Sequence, residues 1–194
     1  MMKKTRFHGQ FFSIPNILSY VRLGMIPLIL WVYCGLRDYY LAAVLTVLSA
    51  ATDVVDGWIA RHYNLITDWG KIIDPIADKL TQIAIAFCLA WRFVPMRYLL
   101  VLLIFKEIYM GIIGMIFIHK TDTVEGSVWY GKMTTALFFL ISMTLLLVPE
   151  LTSLGVWLLV GAEGFSILLS MVLYTARYIR LYKAMQPTTE PHQN

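Results

Sequence analysis

Between residues 51 and 80, in "ATDVVDGWIARHYNLITDWGKIIDPIADKL", four aspartates stand at helical spacing. Asp53 and Asp56 are three positions apart, Asp74 and Asp78 four apart, so each pair shares one helix face. Carboxylate oxygens are hard ligands. Grouped, they suit Mg2+ or Mn2+, and Mg2+ is usually held by carboxylates together with substrate phosphates. Two such ions about 4 Å apart can clamp a phosphoryl group during an in-line displacement. Gly57, Ala60 and Gly70 present little or no side chain. They would let a bulky ligand lie against the helix backbones, or let two helices pack closely, and the two uses are compatible. Arg61 offers a planar fork suited to phosphate, and with Lys71 and Lys79 it offsets part of the negative charge. Asp68 lies off the spacing and reads as a helix cap.

The elements that must position these groups are apolar. The 194 residues are 59% hydrophobic and 14% charged, with mean hydropathy +0.68. Soluble domains run nearer to about 45–50% apolar and about 25% charged, so the chain reads as an integral membrane protein. Spanning helices need about 20 apolar residues. Six stretches qualify, near 14–36, 40–62, 70–91, 97–118, 130–148 and 153–176. Their continuous apolar runs exclude alternating strands, and lipid admits only helices or closed barrels. The expected fold is therefore an all-α bundle of six transmembrane helices. It forms one domain over residues 1–186, with a polar, disordered tail at 187–194. The first span follows Lys3, Lys4 and Arg6 and reads as a retained anchor. Its first part is either an interfacial amphipathic segment with Arg22 near the headgroups or a plain anchor with a snorkelling arginine. Cys34 and Cys88 lie inside apolar runs, without zinc or redox spacing.

Lys and Arg set the orientation. Lys3, Lys4, Arg6, Arg61, Lys71, Lys120, Lys132, Arg177, Arg180 and Lys183 fall on one side, against Arg37, Arg92 and Arg97 on the other. Both termini and the aspartate turn are thus expected at the cytoplasmic face of the cell membrane. The formal charge of +4 reads as a membrane-surface signature. No basic patch on a soluble face suggests nucleic acid.

Written out, the stretch is D-x2-D-G-x2-A-R-x8-G-x3-D-x3-D, through Asp53, Asp56, Gly57, Ala60, Arg61, Gly70, Asp74 and Asp78. It resembles, without a departure, the signature of the CDP-alcohol phosphotransferase family, and the six spans extend the resemblance over nearly the whole chain. The resemblance implies transfer of a phosphoryl-linked group from a CDP-alcohol to a second alcohol, with release of CMP. By position, Asp53, Asp56 and Asp74 look like metal ligands. Asp78 looks like the general base and a ligand of a second metal. Gly57, Ala60, Arg61 and Gly70 look like the CDP-binding surface. Two Mg2+ or Mn2+ ions and a homodimer are implied in the same way.

"IPNILSYVRLGMIPLIL", "DPIADKL" and "YGKMTTALFF" resemble the branch that makes phosphatidylglycerol phosphate from CDP-diacylglycerol and glycerol 3-phosphate. They also resemble the related cardiolipin synthases, whose acceptor is phosphatidylglycerol. Lys132 is the first candidate for holding an acceptor phosphate, and Lys106 the second. Lys106-Glu107 departs from the Arg-Glu usual in the former branch, and lysine lacks the bidentate fork. Lys106 is equally suited to an ion pair with Glu163. The intramembrane acids Glu107 and Glu163 suit a cation or proton transporter as a rival class. Against it, the aspartates gather at one membrane face, and no pair of interrupted spans marks an inverted repeat. A non-catalytic membrane scaffold would not need all four aspartates.

Overall fold

The computed structural model describes residues 13–63, 67, 69–121, 128–148 and 150–185, without the side chains of 61, 118–121 and 182–185. Six α-helices follow one another: α1 Ile14–Leu30, α2 Tyr39–His62, α3 Gly70–Arg92, α4 Val94–Thr121, α5 Trp129–Leu147 and α6 Ser153–Met185. The expected spans are matched closely. The main extension is α6, which runs on to Met185 where the sequence placed its end near 176. Among the described residues there is no strand. Residues 1–12, Asp68 and the tail lie outside the described residues, and so do the expectations attached to them.

Five of the helical segments are long and apolar enough to cross a membrane, the one containing α1 reaching to Leu36. α3 is not among them, because Lys71, Asp74, Asp78 and Lys79 fall in its first half. The helix that carries half of the aspartate motif is thus the least lipid-like of the six.

Local signals explain the helix starts. Ser13 Oγ accepts the Asn16 N–H at 3.4 Å and caps α1, with Pro15 in its first turn. Pro27 removes one backbone donor from α1, and a π-helical turn, Trp31–Leu36, follows one turn later. Arg37 then adopts a left-handed conformation, φ 58°, and reverses the chain. Asp38 opens α2 by accepting the Leu41 N–H at 2.9 Å. At α3, Thr67 Oγ1 accepts the Gly70 N–H at 2.9 Å, the capping role the sequence assigned to Asp68.

The chain divides into two compact units. The first contains α1, α2 and α3 with the end of α5, and α1 packs against both α2 and α3. Its core includes Ile29, Val32, Ala42, Ala77, Ile85 and Leu89, all almost fully buried. The second unit contains α4 from Tyr98 onward, most of α5, and α6. Leu99 and Leu102 lie against Gly164, the Tyr98 and Trp157 rings stack, and Tyr109 Oη meets Thr175 Oγ1 at 2.9 Å. An added Cβ on Gly131 would fall 2.4 Å from Tyr174 Oη, so that glycine lets the tyrosine hydroxyl approach the backbone. Cys34 and Cys88 are free thiols.

Candidate active site

Along α1, Asn16, Ser19 and Arg22 stand three residues apart, and all three are almost completely buried. Each step rises about 4.5 Å. The facing residues of α3, Gly70, Asp74 and Asp78, climb in steps of four, about 6 Å each. The two rows meet rung by rung. Asn16 Nδ2 and Oδ1 lie 3.1 and 3.2 Å from Thr67 Oγ1 beside Gly70, Ser19 Oγ donates to Asp74, and Arg22 Nη1 donates to Asp78. At the first rung an added Cβ on Gly70 would sit 2.7 Å from Asn16 Oδ1, so only glycine lets the helices come this close.

α2 supplies the rest. Asp53 Oδ1 lies 2.7 Å from Arg22 Nη1, and Asp56 Oδ2 lies 2.5 Å from Nη2. Three of the four aspartates therefore converge on one guanidinium, and the fourth is held by a buried hydroxyl. Trp69 Nε1 donates to Tyr20 Oη at 2.6 Å and ties the entrance of α3 to α1. Replacing Ser19 with alanine is expected to lower the stability by about 1 kcal/mol, read as a lower melting temperature of the protein in detergent micelles.

The snorkelling placement of Arg22 is corrected here: the side chain is 1% exposed and ion-paired within the protein. An arginine far inside an apolar span is expensive unless paired, and three carboxylates meet that need. Asn16 and Ser19 were missed as site residues too. The available signal was the polar i, i+3, i+6 stripe of α1, which, like the i, i+4, i+8 row it faces on α3, keeps to one helix face.

The four aspartates are brought together as the spacing implied. Gly70 joins them through Asn16. Gly57 and Ala60 lie half-buried on α2 in the stretch that follows Asp56. The Arg61 side chain lies outside the described residues. The two acceptor candidates belong to the second unit. Lys132 is exposed in the first turn of α5. Lys106 Nζ donates to Glu107 Oε1 at 2.7 Å, with both side chains largely buried. The expected Lys106–Glu163 ion pair is thus replaced by one between chain neighbours. Glu163, fully buried, has no hydrogen-bond partner on either carboxylate oxygen, although Lys106 stays within electrostatic range of it.

Three carboxylates converging on one cation, with a fourth one turn away on α3, form an all-oxygen donor set of the kind hard divalent ions take, and a single arginine leaves much of their charge unbalanced. In that sense the residues fit Mg2+ or Mn2+. Their present disposition serves the guanidinium: among the described residues no three acidic, His or Cys side chains form a ready-made metal cage.

A family model described as CDP-alcohol phosphatidyltransferase matches residues 12–175, which takes in α1, the aspartate helices and most of the second unit. The chain belongs to the CDP-alcohol phosphatidyltransferase family. It is similar to a CDP-diacylglycerol--glycerol-3-phosphate 3-phosphatidyltransferase of Aquifex aeolicus, 38% identical over 128 residues, 63% of this chain and 69% of that protein. It is also similar to a CMP-forming cardiolipin synthase of Streptomyces coelicolor, 34% identical over 113 residues, 55% of this chain and 53% of that one. A Rickettsia bellii protein of the same name as the Aquifex one is 46% identical over 70 residues, 35% of this chain and 39% of its own length. The stretches matched in the last two thus reach about half or less of those relatives. As a phosphatidyltransferase the chain is an enzyme of phospholipid synthesis held in a membrane, and the transporter and scaffold readings are set aside.

Proposed function

We propose that this phosphatidyltransferase moves the phosphatidyl group of CDP-diacylglycerol to glycerol 3-phosphate, releasing CMP and forming phosphatidylglycerol phosphate, with two Mg2+ or Mn2+ ions at the aspartates. The observation that carries the reading is the gathering of Asp53, Asp56 and Asp78 from two helices on Arg22, with Asp74 one turn away on the same face of α3. The acceptor assignment is supported by the printed names of the Aquifex and Rickettsia relatives.

Asp53, Asp56 and Asp74 would hold the ions, Asp78 sharing in the second. Ions held there would supply positive charge to offset that of the diphosphate and of the departing CMP. Gly57, Ala60 and Gly70 leave room for the nucleotide, and Arg61 supplies a fork for its phosphates. The acceptor oxygen forms a bond to the phosphorus carrying diacylglycerol as the bond from that phosphorus to the CMP oxygen breaks. Asp78 takes the acceptor's proton. Its side chain is 51% exposed against 4% for Asp56, so it is the more accessible of the two to an incoming hydroxyl. The active site and termini face the cytoplasm, by the distribution of Lys and Arg, and the enzyme works as a homodimer.

A second reading is favoured by one contact. Lys106, engaged with Glu107, is poorly placed to hold an acceptor phosphate, and the Streptomyces relative is a cardiolipin synthase by its printed name. Phosphatidylglycerol is then the acceptor, and Lys132 the residue left to meet its phosphate.

The test is CMP release from CDP-diacylglycerol by purified protein, comparing glycerol 3-phosphate, phosphatidylglycerol and inositol phosphate. Glycerol 3-phosphate is expected to give the fastest release, and chelation with EDTA to reduce it to background. Release that survives EDTA would remove the ions from the reading. Release with no acceptor at all would leave the reaction class unsupported.

A further inference from the structure

The carboxylates assigned above to divalent ions already hold a cation. Arg22 engages Asp53 and Asp78 through Nη1 and Asp56 through Nη2. Each of these carboxylates keeps a second oxygen, but a guanidinium and a divalent ion compete for the same negative charge. A second observation bears on how firmly the arginine is seated. Its Nε is buried and has no hydrogen-bond partner. A buried donor left unpaired opposes the arrangement that strands it, so Arg22 is held by its charge while one of its donors goes unmet.

Without any cation, four carboxylates at the end of a helix bundle would repel one another in a medium of low dielectric constant. The arginine removes much of that repulsion with a single charge. A doubly charged ion that prefers oxygen ligands can take the same atoms and balance more of the charge.

We propose that Arg22 is an exchangeable counter-cation: it neutralises the aspartate pocket of the ion-free protein, and divalent ions enter by displacing it from Asp53, Asp56 and Asp78. The inference rests on the metal-dependent reading above and adds a step to it. Arg22 thereby sets the ion affinity of the pocket, and with it the ion concentration at which the enzyme assembles its site.

The experiment is Mn2+ binding to the full chain in detergent after chelator treatment, with free Mn2+ followed by electron paramagnetic resonance, for wild type, Arg22→Gln and Arg22→Lys. Arg22→Gln removes the competing charge and is expected to bind Mn2+ at least about tenfold more tightly than wild type. Arg22→Lys keeps the charge but loses the fork and is expected to fall between the two. Equal or weaker binding by Arg22→Gln overturns the proposal. So does Arg22→Lys binding as tightly as Arg22→Gln, since the retained charge would then offer no competition. If neither wild type nor Arg22→Gln takes up Mn2+, the metal-dependent reading itself fails, and the exchange with it. Melting curves guard against a folding defect. Mn2+ is expected to raise the melting temperature of Arg22→Gln more than that of wild type. A glutamine variant that stays unfolded at saturating Mn2+ overturns the exchange, because the ions then fail to replace the guanidinium.

Discussion

Asp78→Asn is expected to lower CMP release by about 10²- to 10⁴-fold, the range lost with a general base, while leaving binding of CDP-diacylglycerol within a few-fold of wild type. The change is nearly isosteric. The asparagine Oδ1 still accepts the hydrogen bond from Arg22 Nη1, and Asp53 and Asp56 keep their own contacts with the guanidinium. What disappears is the capacity to take a proton. Single-turnover CMP release together with equilibrium binding of the CDP-lipid checks this. Turnover close to wild type would remove Asp78 from the base role. Loss of Mn2+ binding alongside turnover would make its share in the second ion the role that the loss reports.

The second large effect concerns α1 against α3. Gly70→Ala would put a methyl group 2.7 Å from Asn16 Oδ1 and 3.0 Å from Thr67 Oγ1. Neither neighbour can yield easily, because they are hydrogen-bonded to each other and Asn16 is buried. Overpacking of this kind costs about 1–3 kcal/mol. It acts at the first rung of the row that also positions Asp74 and Asp78, so the expected result is a lower melting temperature with loss of most CMP release. The double variant Gly70→Ala/Asn16→Ala separates the causes. It removes the obstructing amide and is expected to recover much of the melting temperature. A double variant as unstable as Gly70→Ala would assign the loss to something other than the α1–α3 approach.

These two experiments probe positions of very different legibility. Asp53, Asp56, Asp74 and Asp78 could be read directly, because their spacing matches one face of a helix and the turn between α2 and α3 brings the two pairs together. The helix bounds were equally legible, since a long apolar run bounded by breakers admits few alternatives in lipid. The α1 contribution was not. Arg22 lies more than thirty positions before Asp56 in the chain, and one charged residue in an apolar span has several satisfactory fates. Choosing among them requires knowing which helix packs against which. The same holds for Lys106. Opposite charge within apolar spans made Glu163 a plausible partner, but charge does not fix where around the helix a side chain points, and the adjacent Glu107 took the contact.

The interlocked charges of α1, α2 and α3 also bear on how the protein is made. α3 falls outside the set of segments apolar enough to cross a membrane by composition. Its aspartates oppose partitioning into a bilayer, and so does Arg22 in α1. Once α1 and α3 lie side by side, these liabilities become the ion pair and hydrogen bond already described. The newly synthesised chain therefore has reason to retain its first helix at the insertion machinery until the third emerges. Integration of α3 would then be a joint event, in which the α1 charge takes part before any substrate is met.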